Sequence, residues 1–323
     1  MSAPNSVMVE IDRLTKAFGS FVAVDNINLS VGKGEVLGFL GPNGAGKTTT
    51  MRMVAGFLTP TAGTARVCGH DVAADPIAAK SCIGYMPEGS PAYDDMTVRA
   101  FLTFIAEVRG LDRATATRRI DEVAGKVALH DVMDRPIEIL SKGYKRRVGL
   151  AQSLLHDPPV LILDEPTDGL DPNQKHQVRT LIKAMAADKC IIVSTHILEE
   201  VAAVCTRAVI IGRGRLLADG TAEQLLARLP DYHAVCVEVP AAEAARTAAA
   251  LRQVPGVASA AIETKPDGRA LVRAVPAKGQ SIIEGVATAV RTANLPALQV
   301  YQNRGDLDDV FRLITTGSAA QAA

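Results

Sequence analysis

The chain has 323 residues, 48% of them apolar, with 35 Lys+Arg against 35 Asp+Glu and a formal net charge of +0. That length accommodates two domains, and the neutral balance excludes a chain drawn as a whole to nucleic acid or an anionic membrane, leaving only local patches. Five scattered cysteines, an odd count with no C-x-x-C pair, argue against a zinc or disulfide framework and predict buried thiols in a reducing cytosol.

Met1 to Arg13 lacks a basic stretch followed by an apolar core, so no signal peptide is expected. No uncharged apolar run approaches the ~18 residues that cross a bilayer, so a membrane role would require a partner. Val7 to Ile11 and Phe21 to Val31 alternate as strands, with Gly19-Ser20 as the turn. Glu35 to Leu40 reads as a buried strand and Thr50 to Leu58 as the opening of a helix. Short strands follow at Thr64 to Gly69 and at Ile83 to Glu88. From Thr97 to about Asp157 the pattern is helical, with Val98, Phe101, Leu102, Ile105 and Val108 recurring every three to four residues. Val160 to Leu163 and Cys190 to Ser194 are apolar strands, and Ala208 to Leu217 a hairpin turned at Arg213-Gly214. Alternating strands and helices imply a parallel sheet with crossover helices.

Leu229-Pro230-Asp231 marks a boundary, so 1–229 is expected as one domain with a helical subdomain at about 90–157. The second, 230–316, reads as strand (Ala234 to Val239), helix (Ala241 to Arg252), strand (Val257 to Glu263), strand (Ala270 to Val275), helix (Ser281 to Thr292) and strand (Leu298 to Gln302). That β-α-β-β-α-β order is ferredoxin-like. Leu307 to Thr315 reads as a closing helix capped by Asp306, and 317–323 as a disordered tail. The expected fold class is α/β, a P-loop NTPase core followed by a small α+β domain.

Between the strand ending at Leu40 and the next helix lies Gly41-Pro42-Asn43-Gly44-Ala45-Gly46-Lys47-Thr48-Thr49, which fits G-x-x-x-x-G-K-[ST] without mismatch. The glycines let the backbone wrap close and aim N–H groups at phosphate oxygens. Lys47 would reach the β- and γ-phosphates, and Thr48 would place its hydroxyl on Mg²⁺. The bland alternative, a glycine-rich turn that binds nothing, is weakened by the strand–loop–helix setting. Asp164-Glu165 closes an apolar strand, and neighbouring side chains point opposite ways. Asp164 could hold Mg²⁺ while Glu165 polarises a water, or both could be a solvated strand end. His196, after the next strand, could bond the γ-phosphate and orient that water, or be merely structural. Ser141 is a good N-cap for the helix from Lys145 to Leu155, and that helix N-terminus could bind an anion. Arg146 and Arg147 read as a solvated face more than as a charge on a ligand.

In order, then, the chain carries Gly41 to Thr49, Glu88 after a strand, LSKGY (140–144), LILDEPTDGLD (161–171) and STH (194–196). Over roughly residues 7 to 225 it resembles the ATP-binding subunit of an ABC transporter. The resemblance implies that Phe18 stacks on adenine, that Gly41 to Thr49 is the Walker A loop, and that Asp164 is the Walker B aspartate. It makes Glu165 the catalytic carboxylate, His196 the switch histidine, and Asp168 to Asp171 the D-loop. Ser141 and Gly143 would close over the ATP of a second copy, so the cofactors implied are ATP and Mg²⁺. The partners implied are a second ATP-binding subunit and a separate membrane permease, with no nucleic acid and a place at the inner face of the cell membrane.

Two positions depart from the common family pattern. LSGGQ is usual where this chain has Lys142 and Tyr144; Lys142 could add charge toward phosphate or reduce backbone approach. The glutamine that senses Mg²⁺ is replaced by Glu88, whose carboxylate can still meet the ion. Both departures, and Leu307 to Phe311, resemble an exporter subclass seen in drug and gliding-motility systems. A soluble relative acting on ribosomes or DNA is the alternative, but such proteins carry paired cassettes, a coiled coil or zinc cysteines, none of which occurs here. A GTPase or small-molecule kinase would leave LSKGY unexplained, and no N-K-x-D motif is present.

Overall fold

The structure, a computed structural model, describes residues 6–89, 92–277 and 280–320, with backbone alone for 316–320. It divides into two units, Met1–Ala222 and Glu223–Ala323; the division falls a few residues before the expected Leu229–Asp231 boundary. The first unit runs β1 (Val7–Phe18), β2 (Phe21–Gly32), β3 (Val36–Leu40), α1 (Lys47–Val54), β4 (Ala62–Val67), β5 (His70–Asp71), α2 (Pro76–Ser81) and β6 (Ile83–Met86). It continues with α3 (Val98–Val108), α4 (Arg113–Lys126), α5 (Lys142–Leu154), β7 (Val160–Asp164), α6 (Pro172–Ala186), β8 (Cys190–Thr195), α7 (Leu198–Val204), β9 (Arg207–Gly212) and β10 (Arg215–Gly220).

The strands form two sheets. One has the order β10-β9-β3-β8-β7-β6, in which all neighbours are parallel except the β9–β10 hairpin. Every residue of β3, β7 and β8 is buried, which is why these strands read as unbroken apolar runs rather than alternating ones. Their register sets Leu40 beside Thr195 and Asp164 beside Ser194. The loops leaving the carboxyl ends of β3, β7 and β8 therefore converge, the usual ligand crevice of an open α/β sheet. The other sheet, β2-β1-β4-β5, is antiparallel.

The helical segment breaks into three helices because caps interrupt its period. Thr97 Oγ1 accepts from Ala100 N at 3.1 Å, and Asp112 Oδ1 accepts from Ala114 N and Thr115 N at 3.0 Å each. Phe101, Leu102, Val123, Leu129 and Leu150 form one buried cluster with Leu161, Leu163 and Ile191 of the sheet. That shared core fixes α5, and hence its N-terminus, against the strands that end in the crevice.

His156, just beyond α5, donates Nε2–H to Ile83 O at 3.0 Å, while its buried Nδ1 has no hydrogen-bond partner among the described residues. Burial, and next the positive charge of Arg109, push it from 6.5 down to about 4. The unfolded chain takes up this proton near pH 6.5 and the folded chain does not, so the stabilisation is complete above that pH and is lost as pH falls toward 4. We expect acidification from pH 7 to 5 to cost about 1–2 kcal/mol through this group, and His156→Gln to abolish that part of the loss in urea melts. Equal losses in the two proteins would clear His156 of the effect.

The second unit continues from α8 (Ala222–Leu226) through β11 (Val235–Pro240), α9 (Ala244–Arg252), β12 (Val257–Thr264), β13 (Arg269–Pro276), α10 (Ile283–Thr292), β14 (Gln299–Gln302) and α11 (Leu307–Ala320). The sheet order β12-β13-β11-β14, antiparallel throughout, is the ferredoxin-like arrangement. Val235, Val237, Val239 and Val272 face α9 and α10, burying Ala248, Leu251 and Val286. Ala241–Glu243 is a 3-10 turn ahead of α9 rather than part of it. Helix α11 extends past the expected end at Thr315, taking in 317–320 of the expected tail; 321–323 lie outside the described residues.

The five cysteines are free thiols. Cys190 and Cys236 are buried and Cys68, Cys82 and Cys205 half-buried, so the expectation of uniform burial is corrected. Burial pushes Cys190 and Cys205 up to about 12, which keeps both protonated.

Candidate functional site

The loop from Gly41 to Thr49 joins β3 to α1 and needs its glycines where they stand. Gly46, the N-cap of α1, sits at φ 106, and a Cβ there would lie 2.6 Å from Ala23 O. A Cβ on Gly41 would lie 2.6 Å from Ile211 O, and Gly44 has φ +79 with open space above it. These positions admit a wrapped backbone that L side chains would block. Ala45 is buried and accepts from Gly214 N at 2.9 Å, tying the loop to the β9–β10 turn. Lys47 is 6% exposed, and its Nζ donates to Gly41 O at 2.7 Å and to Pro42 O at 3.3 Å. Burial lowers the Lys47 pKa, opposed by the carboxylates of Glu165, Asp164 and Glu88. Those three acids, two of them adjacent at the end of β7 and the third just after β6, thus act on one lysine.

A cleft of about 450 Å³ opens over this loop. Pro42, Asn43, Gly44, Gly46, Lys47, Thr48 and Thr49 line it, together with Glu88, Glu165, Phe18, Phe21 and Ala23. Phe18 ends β1 and pairs with Phe21, which opens β2, across Gly19-Ser20. Both rings are half or more exposed, and Lys16 Nζ lies 5.1 Å from the Phe18 centroid. The sequence reading missed Phe21; its signal was a second aromatic across a two-residue turn.

Asp164 ends β7 and is fully buried. Its Oδ1 accepts a hydrogen bond from Ser194 Oγ, while its buried Oδ2 has no hydrogen-bond partner among the described residues. A buried carboxylate oxygen without a donor is costly unless a cation takes it. Thr48 and Glu88 line the cleft together with Glu165, the residue that follows Asp164, and this set of oxygen donors fits Mg²⁺.

Glu165 has φ +50, a left-handed conformation that non-glycine residues rarely adopt and that the surroundings must enforce. Its N–H donates to Ser194 O and to Ser194 Oγ, both at 3.1 Å, and its Oε1 lies 3.1 Å from His196 Nδ1. Ser194, which was not singled out in the sequence, therefore holds both acids. The buried Glu200 was missed as well: it accepts from Thr167 Oγ1 at 2.5 Å and Thr195 Oγ1 at 3.0 Å, fastening the turn after Glu165 to the end of β8. Ser194→Ala would leave Asp164 buried without a donor, and we expect it to cost about 1–3 kcal/mol of stability and to lower turnover. A thermal melt matching wild type would remove that role.

A second group lies at the starts of α5 and α6. Ser141 caps α5, its Oγ accepting from Tyr144 N at 3.4 Å. Gly143 is buried, and a Cβ on it would meet Gln174 Oε1 at 2.6 Å. Asp171 caps α6, its Oδ1 accepting from Gln174 N at 2.9 Å. Ser141, Gly143 and Asp171 do not line the cleft over the phosphate loop. The expectation of a solvated face at Arg146 is corrected: its side chain is 4% exposed and bonds Asp168. Arg147 is also engaged, donating to Val127 O, Ala128 O and Gln177 Oε1. A helix period reports which residues share a face, not what that face meets.

A family model described as "ABC transporter" matches residues 24–168. A Nod factor export ATP-binding protein I from Ralstonia nicotianae is 31% identical over 309 residues, covering 95% of this chain and 94% of that protein. A daunorubicin resistance ATP-binding protein from Streptomyces coeruleorubidus is 32% identical over 308 residues, 95% of each. A probable multidrug ABC transporter ATP-binding protein from Escherichia coli K12 is 38% identical over 226 residues, 70% of this chain; the match spans only 39% of that longer relative. Among solved structures, an ATP-binding subunit of an ABC transporter has a TM-score of 0.64 at 29% identity, covering 68% of this chain and 91% of that one. A dimeric post-hydrolysis cassette bound to ADP and Pi, at 21% identity and TM-score 0.62, shares the fold. Since two of these matches run nearly end to end in both chains, through the second unit as well as the first, the chain belongs to the ABC transporter family of ATP-binding proteins.

Proposed function

We propose that the protein binds and hydrolyses ATP as the engine of an exporter, working as a dimer beneath a separate membrane permease. The observation that carries the chemistry is Glu165, which lines the phosphate-loop cleft, contacts His196 and follows directly on Asp164 with its orphaned oxygen. The observation that carries export is the end-to-end likeness to relatives named for Nod factor export and daunorubicin resistance.

In this reading the loop N–H groups and Lys47 cradle the β- and γ-phosphates, and Phe18 with Phe21 faces the base. Thr48, Asp164 and Glu88 would hold Mg²⁺, which neutralises phosphate charge. Glu165, oriented by Ser194 and His196, positions a water for in-line attack on the γ-phosphorus; the P–O bond to ADP breaks as the new bond forms. Ser141 and Gly143, away from this cleft, are proposed to complete the site of the second copy.

The permease is proposed to seat in a groove of about 620 Å³ whose rim carries Phe57, Ile77 and Val108, 67%, 84% and 65% exposed, beside Lys80 and Arg109. Tyr85 of β6 also lines it, and β6 leads straight to Glu88. In this reading the protein sits on the cytoplasmic face of a membrane through its partner. Among the described residues no helix is long and apolar enough to cross a membrane. Tagging the full chain, solubilising membranes and identifying what copurifies tests the reading. We expect a multi-span permease, lost from the pull-down of Ile77→Asp while ATPase activity persists. Recovery only with ribosomes or DNA would overturn it.

A further inference from the structure

We propose that Lys142 is a positioning residue for the turn carrying Glu165: it clamps the Asp168 carboxylate to the start of α5 rather than reaching for phosphate. The inference rests on the ATPase reading of the cleft, and it assigns a role to a residue that departs from the usual LSGGQ pattern. Lys142 Nζ donates to Asp168 Oδ2 at 2.9 Å. Arg146, one turn further along α5, donates to the same oxygen at 3.4 Å and to Asp168 O at 3.3 Å. Two cations of one helix thus hold one carboxylate, and the Lys142 hydrogen bond is the first cause of the lowered Asp168 pKa. The lysine stem lies on the next residue: a Cβ on Gly169 would fall 2.6 Å from Lys142 Cδ and Cε and 2.7 Å from Nζ. Gly169, at φ +71, therefore leaves room for the side chain that Lys142 brings.

The connection to chemistry runs through the backbone. Asp168 N donates to Glu165 O at 3.2 Å, closing the turn Glu165-Pro166-Thr167-Asp168. Glu165 is the residue whose φ of +50 needs enforcing. Ser194 grips its N–H side and the Asp168 amide grips its C=O side. Holding Asp168 therefore holds the second grip. It also makes the turn and the helix start that bears Ser141 and Gly143 a single piece. A lysine engaged in this way, with its ammonium on a carboxylate of its own chain, has less charge to offer a phosphate.

The Lys142 and Asp168 side chains are 64% and 42% exposed, so the link is modest and salt-sensitive. The test compares wild type, Lys142→Met, Lys142→Arg, Asp168→Asn and the Lys142→Met/Asp168→Asn double variant as full chains. Amide hydrogen exchange over 164–171 is read without nucleotide, and steady-state ATPase at low and high salt. Lys142→Met should speed exchange of the turn and lower kcat about two- to fivefold with KM for ATP unchanged, and Lys142→Arg should restore both. In the Asp168→Asn background Lys142→Met should add nothing, and high salt should bring wild-type kcat toward that of Lys142→Met. Unchanged exchange, independent effects of the two substitutions, or a raised KM with kcat intact would overturn the proposal; the last is the signature of a phosphate contact. A wild type without turnover would refute the ATPase reading alone, while the exchange comparison would still decide whether Lys142 holds the turn.

Discussion

Glu165→Gln is expected to lower ATP turnover by about 10²–10⁴-fold while ATP still binds, so that an ATP-loaded dimer accumulates. The substitution is nearly isosteric, and the amide can keep a hydrogen bond to His196 Nδ1, now 3.1 Å from Oε1. The backbone grip on Ser194 does not involve the side chain at all. What is lost is the negative charge that polarises water. One of the carboxylates facing Lys47 also becomes neutral, which removes repulsion toward the incoming phosphates. Binding should hold or tighten while the chemical step fails, a loss confined to kcat. Size-exclusion chromatography with ATP should show a long-lived dimer for the variant and a transient one for wild type. Steady-state hydrolysis equal to wild type would take Glu165 out of the catalytic role. His196→Ala leaves the carboxylate in place but unoriented, and a smaller loss is expected from it.

What could be read from the chain alone follows from how local each requirement is. The phosphate loop was legible because its backbone needs glycines at fixed spacings: Gly41 and Gly46 each face a carbonyl oxygen within 2.6 Å of where a Cβ would stand. Asp164-Glu165 was legible because an apolar run ending in two acids is improbable as a buried strand unless the acids have work at its end. Ser194 was not legible. Its partnership with Asp164 depends on the register of two strands 30 residues apart, and nothing local marks a serine as the donor to a buried carboxylate. Arg146 was misread for the related reason that its partner, Asp168, comes from a loop that reaches α5 only when the sheet is assembled. The separate antiparallel sheet escaped as well, because β1 pairs with β4 across more than 40 intervening residues and no turn signal records that pairing. In the second unit the element order was legible, since Pro266-Asp267-Gly268 punctuates the chain between β12 and β13 and the buried residues of α9 recur at helical spacing.

Lys47→Met should have the opposite signature to Glu165→Gln, losing binding as well as turnover. Lys47 is the cation among three carboxylates, Glu165, Asp164 and Glu88, none of which its removal would neutralise. A triphosphate would then meet net negative charge at the loop, with only backbone dipoles to attract it. Removing one fixed donor to a transferring phosphoryl group costs about 10²–10³-fold in kcat, and the uncompensated acids add to the loss in affinity. Equilibrium titration with a fluorescent ATP analogue should therefore weaken at least about tenfold, the scale of a single charge-assisted bond. Stability should move the other way or not at all. Burial lowers the Lys47 pKa, and a lysine whose pKa is lowered by folding costs stability at every pH below its folded value. Methionine fills the same stem without that penalty, so a thermal melt should show a midpoint equal to or above wild type. A marked drop in that midpoint would mean that the contacts to Gly41 O and Pro42 O, rather than the ligand, are what the lysine is retained for. The combination Lys47→Met/Glu165→Gln separates the two roles: if Lys47 acts in binding and Glu165 in chemistry, the double variant fails to form the ATP-loaded dimer that Glu165→Gln alone accumulates.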